Sequence, residues 1–524
     1  MDHLVDAPTL KGWLADGGEI ALIDVREAGP FAAGHPFLAV PAPYSTFELR
    51  VGELAPNPHA RMVLCDDGTG IAERARTRAA AMGYGKVFVL QGGAPAWRRA
   101  GYTLYEGVNV PSKTFGELTQ HVRGTPHITA DELIGMQERG DDLVIVDGRT
   151  FDEFRRFAIP GAISCPNGEL ALGIDDLAPG RGTTIVVNCA GRTRSIIGAQ
   201  TLIDLGLENR VVALENGTQG WVLAGHELES GAARRWARGS SRPAEARRGH
   251  VRAHAEARGV GFAPAAEVAA WLADETRTTY LFDIRIEGEP AGAGGGMIHA
   301  PGGQLVQASD HWIGVRNARV VVADDELVRA PMVAAWLAGL GFEAHVLAGG
   351  VAAAATIPAP ERPRARLAEP APIAATALKL LVDGGAARVA DLRPSAAYRA
   401  GHISGAKWLI RPQIGAARWA RDTTVVLIAD DPGMASLAAV DLAEAGVTDM
   451  ALFGGSRDEW ERAGLETVAT PREPPDRARV DFVSFTHGRH HGDLEAARRY
   501  LDWELGLVGR LDEAERAVFR MRKD

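Results

Sequence analysis

Cys189 lies in the loop of this sequence whose residue types are best suited to nucleophilic chemistry. The apolar run at 185–188 predicts a strand that ends directly before it, and the segment from Ser195 onward predicts a helix. Backbone amides of a tight loop that closes onto a helix N-terminus stabilise an anion, and the helix dipole adds to this effect. A thiol at this point is therefore expected to favour the thiolate, the nucleophilic form of cysteine.

The residues that follow Cys189 support the same chemistry. Two arginines in the loop, Arg192 and Arg194, are expected to lower the pKa of the cysteine and to bind an anionic substrate. Gly191 permits a sharp bend, and Ser195 suits the N-cap of the helix. The predicted loop and anion-binding residues are Ala190, Gly191, Arg192, Thr193, Arg194 and Ser195.

Four segments of the chain repeat one order of elements at a spacing of roughly 110–130 residues, the scale of whole domains. Each has a helical segment, a strand that ends in Asp-x-Arg, a Gly/Pro turn, a second strand, a helix, and a third strand that ends in a Gly turn. The four Asp-x-Arg pairs are Asp24/Arg26, Asp147/Arg149, Asp283/Arg285 and Asp391/Arg393. Strands that alternate with helices predict an α/β fold with a parallel sheet covered by helices on both faces.

The repeat pattern lapses in an Arg/Ala-rich stretch, which predicts a linker or an exposed helix, and in a Pro-rich stretch, which predicts an extended linker. We expect four domains, called copies one to four, at 1–110, 123–232, 260–356 and 371–468, with linkers at 233–259 and 357–370 and a helical tail at 469–524. The tail pattern predicts one or two amphipathic helices.

The Asp-x-Arg strand end, the FAIPGAIS turn, the C-x-x-G-x-R-S loop and the ENGTQGW segment together resemble a rhodanese domain. The resemblance implies four tandem rhodanese-like domains, each with a small, mostly parallel five-stranded sheet flanked by helices. It also implies a sulfurtransferase of the thiosulfate sulfurtransferase type, in which Asp147 and Arg149 support the loop from beneath. Copy two departs from the family where Ala158 replaces the histidine that often precedes the Ile-Pro-Gly turn, and we expect a small effect.

The resemblance implies a sulfur relay without a cofactor. Cys189 would attack the outer sulfur of a donor, form a persulfide and pass the sulfur to a thiol or to cyanide. Thiosulfate, 3-mercaptopyruvate and persulfides all suit such a loop, and the acceptor could also be a partner protein in a sulfur relay.

The other two cysteines have weaker settings. Counting from one side of copy one places Cys65 opposite Cys189, whereas counting from the other side places Asp66 there; we retain Cys65 as a secondary candidate. Two carboxylates beside Cys65 would raise its pKa and repel anionic donors. Cys165 is expected to pack in the core, with an internal sulfur acceptor as the alternative. Copies three and four have Ala-Asp-Asp at the corresponding place, at 323–325 and 429–431, and should be inert.

Composition excludes several classes of function. The net charge of -10 gives no general attraction to nucleic acid or to anionic lipid, and no apolar stretch has the length of a membrane span. Three scattered cysteines do not form a disulfide framework. The N-terminal residues show no basic region followed by an apolar core, so we expect a cytoplasmic protein. The histidine-rich segment 486–493 fits no familiar metal site, and the glycines at 291–303 do not fit a dinucleotide loop.

Two other functions remain open. A cysteine and arginine loop that binds an anion also suits a cysteine phosphatase or an arsenate reductase, although those sites have five residues between the two and this loop has four between Cys189 and Arg194. The copies that lack a nucleophile could instead make the protein a sulfur carrier or a scaffold that binds partners.

Overall fold

The chain forms four α/β units and a helical C-terminal region. The computed structural model describes residues 3–237, 245–286, 288–289, 294, 296–417, 419, 423–484, 487–489 and 492–521. Each unit contains one sheet of five mostly parallel strands flanked by helices, which confirms the predicted fold class.

The strands and helices follow the order predicted for each repeat. Copy one contains β1 (Leu4–Val5), α1 (Ala7–Ala15), β2 (Ile20–Asp24), α2 (Ala28–Ala33), β3 (Val40–Pro41), α3 (Phe47–Leu54), β4 (Arg61–Cys65), α4 (Ile71–Ala81), β5 (Val87–Leu90) and α5 (Gly93–Arg99). The connecting helix is α6 (Val110–Arg123). Copy two contains β6 (His127–Ile128), α7 (Ala130–Glu138), β7 (Leu143–Asp147), α8 (Phe151–Arg156), β8 (Ile163–Ser164), α9 (Leu170–Leu177), β9 (Thr184–Asn188), α10 (Thr193–Asp204), β10 (Val211–Leu214) and α11 (Gly217–Leu223).

The second half of the chain repeats this order. The helix that precedes copy three is α12 (Glu245–Ala257). Copy three contains β11 (Gly261–Ala263), α13 (Ala265–Leu272), β12 (Thr279–Asp283), β13 (Ile298–His299), α14 (Gly302–Gln307), β14 (Val315–Arg316), β15 (Arg319–Ala323), α15 (Arg329–Gly339), β16 (Glu343–Leu347) and α16 (Gly350–Ala354). Copy four contains β17 (Ala371–Pro372), α17 (Ala375–Asp383), β18 (Ala387–Asp391), α18 (Ser395–Ala400), β19 (His402–Ile403), β20 (Lys407–Trp408), β21 (Thr424–Ile428), α19 (Pro432–Glu444), β22 (Met450–Phe453), α20 (Arg457–Arg462) and β23 (Thr467–Val468). The tail contains α21 (Leu494–Arg510) and α22 (Glu513–Arg516).

One strand order recurs in the main sheet of all four copies, and copy four also has a two-stranded antiparallel sheet of β19 and β23. In copy two it is β6-β10-β9-β7-β8, and every pairing is parallel. The central strand β9 is buried along its whole length, as expected for an apolar strand with helices on both faces. Parallel strands bring their carboxyl ends to one edge of the sheet, so the Asp-x-Arg turn after β7 and the loop after β9 lie side by side.

The copies pack against one another through cores and charged contacts. Copies one and three share a sheet, because β14 pairs in antiparallel fashion with β2, and they also share one hydrophobic core. Copy four contacts copy one through buried Arg411, which binds Glu48 of copy one and Asp441 of α19 in copy four.

The tail is anchored on copy one at its C-terminal end. Leu507 of α21 is fully buried in the core shared by copies one and three, and Tyr105 donates a hydrogen bond of 2.5 Å to Glu515. Lys11 binds Glu515 as well, at 3.1 Å. Among the residues that the structure describes, no helix has both the length and the apolar character needed to cross a membrane.

Candidate active site

Cys189 is the first residue after β9, and its side chain is buried with 2% exposed. Its Sγ lies 3.7 Å from the hydroxyl oxygen of Ser195. The expectation that Ser195 caps the helix is wrong: α10 already begins at Thr193, and the Ser195 hydroxyl donates to the carbonyl of Arg192 at 2.8 Å. The helix starts earlier because the loop turns more tightly than the sequence pattern indicated.

The loop after Cys189 presents a run of unused hydrogen-bond donors. The backbone amides from Gly191 to Ser195, all within the described part of the chain, donate to no protein acceptor. They lie at the N-terminus of α10, where the helix dipole adds positive potential. This arrangement can bind negative charge beside the sulfur of Cys189.

The strand register identifies the residue that corresponds to Cys189 in each copy. The aspartate of each Asp-x-Arg pair lies opposite the last residue of the neighbouring central strand, and these partners are Asp24/Cys65, Asp147/Asn188, Asp283/Ala323 and Asp391/Ile428. The residues one position further along the chain are Asp66, Cys189, Asp324 and Ala429. The register ambiguity in copy one is thereby resolved, because Cys65 corresponds to Asn188.

Cys65 lies inside copy one, in surroundings that oppose ionisation. It is fully buried, and burial, followed by the negative charge of Asp24, raises the pKa of its thiol well above the ordinary value. Cys165 is also fully buried in the core of copy two, and burial raises the pKa of its thiol in the same way.

Both arginines of the loop are paired with carboxylates. Arg192 forms two hydrogen bonds of 2.7 and 2.9 Å with Glu117 of α6, and Arg194 forms two of 2.7 and 2.9 Å with Glu153 of α8. Burial raises the pKa of Glu117 against the opposing effect of Arg192. Sequence reasoning missed both carboxylates, because they lie on helices far from the loop in the chain.

Glu153 is held in place by the helix that carries it. Thr150 and Glu153 form a capping box at the start of α8, with the Thr150 amide donating to Glu153 at 3.2 Å. Although burial alone would raise it, the charge and hydrogen bonds of Arg194 hold the pKa of Glu153 well below its usual range. Against the lowering effect of burial, Glu153 and, more weakly, Cys189 raise the pKa of Arg194.

A buried ion pair supports the loop from the neighbouring strand. Arg149 is fully buried and donates to both carboxylate oxygens of Asp147, at 2.9 and 2.8 Å. Asn188, directly before the cysteine, donates from its side chain to Asp147 at 2.8 Å. Arg149 also donates to the carbonyl of Phe157, so the Asp-x-Arg pair ties the turn after β7 to the end of β9.

The closing glycine turn contacts the loop from the opposite side. The Thr218 amide donates to the carbonyl of Cys189 at 2.8 Å. Gly217 has a positive φ of 55°, and a Cβ atom there would lie 2.2 Å from the same carbonyl oxygen. Only glycine fits at this close approach.

The tail helix α21 completes the wall around the loop. Thr193 donates through its hydroxyl to Glu504 at 2.6 Å, and a Cβ atom on Gly191 would lie 3.2 Å from the other oxygen of Glu504 and 3.6 Å from the ring of Tyr500. Glu504 is 1% exposed. The sequence contains one sign of this role: Glu504 is the charged residue in the otherwise apolar stripe Ala497, Tyr500, Leu501 and Leu507.

The described residues contain no cluster of three or more His, Cys, Asp and Glu side chains able to hold a metal ion. Residues 486, 490 and 491 of the histidine-rich segment lie outside the described residues. Residues 291–293 and 295 of the glycine-rich segment also lie outside them.

Comparison with known proteins identifies the family. The chain matches the rhodanese-like domain family over residues 6–100, 129–224 and 374–463, which together are more than half of its length. The protein belongs to the rhodanese family. The matched ranges do not include copy three, whose sheet has the same strand order as the sheets of the other three copies.

Two similar proteins differ in how much of the chain they cover. A thiosulfate sulfurtransferase from Pseudomonas aeruginosa superimposes with a TM-score of 0.88 and 37% sequence identity, covering 98% of each chain. The HTH-type transcriptional regulator Rv0324 of Mycobacterium tuberculosis is 34% identical over 113 residues, which are 21% of this chain. The present chain spans 49% of the length of that curated relative. The resemblance to the first protein extends over all four copies and the tail, which confirms the tandem rhodanese architecture.

Proposed function

We propose that the protein is a sulfurtransferase that carries sulfur as a persulfide on Cys189. In the first half-reaction the Cys189 thiolate attacks the outer sulfur of the donor; with thiosulfate, the bond between the two donor sulfurs breaks and sulfite leaves with the electron pair. In the second, a thiolate or cyanide attacks the outer sulfur of the persulfide, and the Cys189 thiolate leaves. No cofactor or external oxidant is needed for either step.

The observation that supports this proposal most directly is the set of amides from Gly191 to Ser195 that donate to no protein acceptor. They belong to the loop that directly follows Cys189, and hydrogen bonds from them to a negatively charged persulfide would favour the charged form. Arg194 adds a positive charge close enough to interact with Cys189. The named activity of the P. aeruginosa neighbour agrees with the same chemistry.

The proposal covers a class of donors and acceptors. Thiosulfate, 3-mercaptopyruvate and persulfides each present a terminal sulfur, and the acceptor is a thiol, cyanide or a partner protein of a sulfur relay. All three cysteines are free thiols, which supports our proposal that the protein works in the cytoplasm, where thiols stay reduced.

Intact-protein mass spectrometry tests the proposal. After incubation with thiosulfate, the protein should gain the mass of one sulfur atom, and peptide mapping should place that sulfur on Cys189. Cys189→Ser should gain none and should lose turnover of thiosulfate to thiocyanate with cyanide as acceptor. Unchanged turnover in Cys189→Ser would contradict the proposal, as would hydrolysis of an aryl phosphate at a rate comparable to sulfur transfer.

A further inference from the structure

The C-terminal helix contributes a buried carboxylate to the loop of Cys189. Glu504 of α21 lies 311 residues after Thr193 in the chain. Its Oε1 accepts a hydrogen bond from the Thr193 hydroxyl. Its second oxygen, Oε2, is buried and has no hydrogen-bond donor, and it faces Gly191. A buried carboxylate oxygen without a donor is costly, so its presence beside a loop that binds anions calls for a functional explanation.

Three cations around the loop lie beside carboxylates. Arg192 pairs with Glu117, and Arg194 pairs with Glu153. The third cation is Lys113 of α6, whose ammonium lies 3.8 Å from Glu504 and also donates to Tyr500. A fourth cation, Arg489, lies over the ring of Tyr500 at 3.8 Å from its centre. Because Arg192, Arg194 and Lys113 each lie beside a carboxylate, an anion at the loop is stabilised chiefly by backbone amides and the helix dipole.

Because Leu507, one turn after Glu504 in α21, is fully buried in the core shared by copies one and three, it holds Glu504 in the wall of the loop. Its negative charge acts on whatever binds beside Gly191. A donor with two negative charges is repelled more strongly than a donor with one, while the transferred sulfur and the attacking thiolate are the same.

We propose that Glu504 is a specificity-determining residue that makes the Cys189 site favour sulfur donors with one negative charge over donors with two. This inference rests on the proposed function, since it concerns the donor half-reaction at Cys189. It assigns the preferred donor class as monoanionic sulfane sulfur, which includes thiosulfonates and small persulfides, in preference to thiosulfate.

Two donors form a matched pair for the test. Thiosulfate carries two charges and methanethiosulfonate carries one; in both, Cys189 attacks the outer sulfur and the bond to the oxidised sulfur breaks, releasing sulfite or methanesulfinate. With cyanide as the common acceptor, the ratio of kcat/KM for thiosulfate to kcat/KM for methanethiosulfonate reports the charge preference. Both values come from one preparation, so the ratio does not depend on the fraction of folded protein.

Glu504→Gln keeps an acceptor for Thr193 and removes the charge. It should raise the ratio on the order of tenfold, the effect of one unit charge across a partly screened protein site. Lys113→Met leaves Glu504 without its cation and should lower the ratio. Glu495→Gln removes an exposed carboxylate from the same helix and should leave the ratio unchanged.

The outcomes separate the two proposals. A ratio in Glu504→Gln within twofold of the unsubstituted protein, or a rise of the same size in Glu495→Gln, would overturn the role of Glu504 while leaving Cys189 in place. Turnover of both donors that persists in Cys189→Ser would overturn the sulfurtransferase site itself. A purely structural role for Glu504 would change both donors by the same factor, and the ratio would not move.

Discussion

The loops that follow β4 in copy one and β9 in copy two occupy the same place in their sheets but use their amides differently. In copy one the side chain of Asp66 lies where Cys189 lies in copy two, and its carboxylate accepts hydrogen bonds from the amides of Gly68, Gly70 and Ala72 at 2.8, 3.0 and 3.1 Å. In copy two the corresponding amides donate to no protein group. The fold supplies the same backbone amide donors in both loops. The residue directly after the strand, Asp66 or Cys189, determines whether a carboxylate of the protein accepts their hydrogen bonds.

Copy three repeats the arrangement of copy one. Asp324 accepts from the amides of Leu327, Val328 and Arg329 at 3.0, 3.2 and 3.1 Å. Two copies of the chain therefore show a negative group bound by this loop, at the position that a charged sulfur on Cys189 would occupy. This internal comparison strengthens the proposal that the loop of copy two stabilises a thiolate and a persulfide.

The loop arginines differ as well. Arg329 follows Asp324 by five residues, as Arg194 follows Cys189, but Arg194 binds Glu153 within its own copy, whereas Arg329 binds Glu169 of copy two at 2.9 Å. The loop of copy three thus forms part of the contact between the copies. We infer that copy three serves as a structural framework for copy two.

The largest effect is expected from Arg329→Met. Arg329 is fully buried beside Glu169 and Asp324, so its loss removes the cation that pairs with these two buried carboxylates and should cost about 3–5 kcal/mol of unfolding free energy. Urea denaturation measures the loss. Arg181→Met, which removes an exposed ion pair, should change the stability by less than about 0.5 kcal/mol. A loss in Arg329→Met as small as in Arg181→Met would contradict the framework role.

A pH dependence should arise at the same contact. Burial, only partly opposed by Arg329, raises the pKa of Glu169 to about 7, above its ordinary value of 4.5. A carboxyl group whose pKa is higher in the folded state contributes stability that is present below the unfolded pKa and is lost as the pH rises through the folded pKa. Between about pH 5 and pH 8 the protein should therefore lose about 2 kcal/mol through this group.

Glu169→Gln isolates that contribution. The amide does not titrate, so the fall in unfolding free energy over this pH range should be smaller in the variant than in the unsubstituted protein, as measured by urea denaturation at each pH. An equal fall in both proteins would mean that Glu169 is already ionised in the folded state throughout the range.

The contrast between Asp66 and Cys189 predicts a smaller and more local effect. Asp66→Ala leaves three amides of copy one without their acceptor and should lower the local opening free energy by about 2 kcal/mol, so that amides 68–72 exchange ~30-fold faster. Hydrogen-exchange mass spectrometry measures this. Cys189→Ala removes no hydrogen-bond acceptor from the amides of its loop, and exchange at 191–195 should change by less than about threefold. An equal change in amide exchange rate in the two loops would contradict the conclusion that a side chain occupies the amides of copy one and leaves those of copy two unused.

The sequence was sufficient for the fold, and it singled out the loop of Cys189 as the candidate site, because both depend on local patterns. Apolar strands that end in Asp-x-Arg repeat visibly, and the loop of Cys189 carries its glycine and arginines within a few residues. The surroundings of the loop were not predictable in the same way. Glu117, Glu153 and Glu504 reach it from three different helices, and local periodicity gives no information on which helix faces which loop.

For a related reason, the sequence alone did not show which residue of copy one corresponds to Cys189. A loop does not preserve spacing, so counting residues from either end of it gave two answers, Cys65 or Asp66. Strand pairing decides between them, since Cys65 lies opposite Asp24 as Asn188 lies opposite Asp147. A single residue of difference along the chain moves the side chain from the loop into the buried sheet.

The smallest effect is expected from Cys65→Ser, and it is the sharpest check on that register. Cys65 is buried in β4, has a raised pKa, and lies one position before the carboxylate that uses the amides of its loop. Cys65→Ser should therefore load one sulfur atom from thiosulfate to the same extent as the unsubstituted protein, with turnover unchanged within about twofold. Mass spectrometry of the loaded protein measures this directly. A sulfur atom found on Cys65, or a loss of loading in Cys65→Ser, would mean that copy one takes part in the chemistry. It would also mean that Asp66 does not keep sulfur donors out of the loop of copy one.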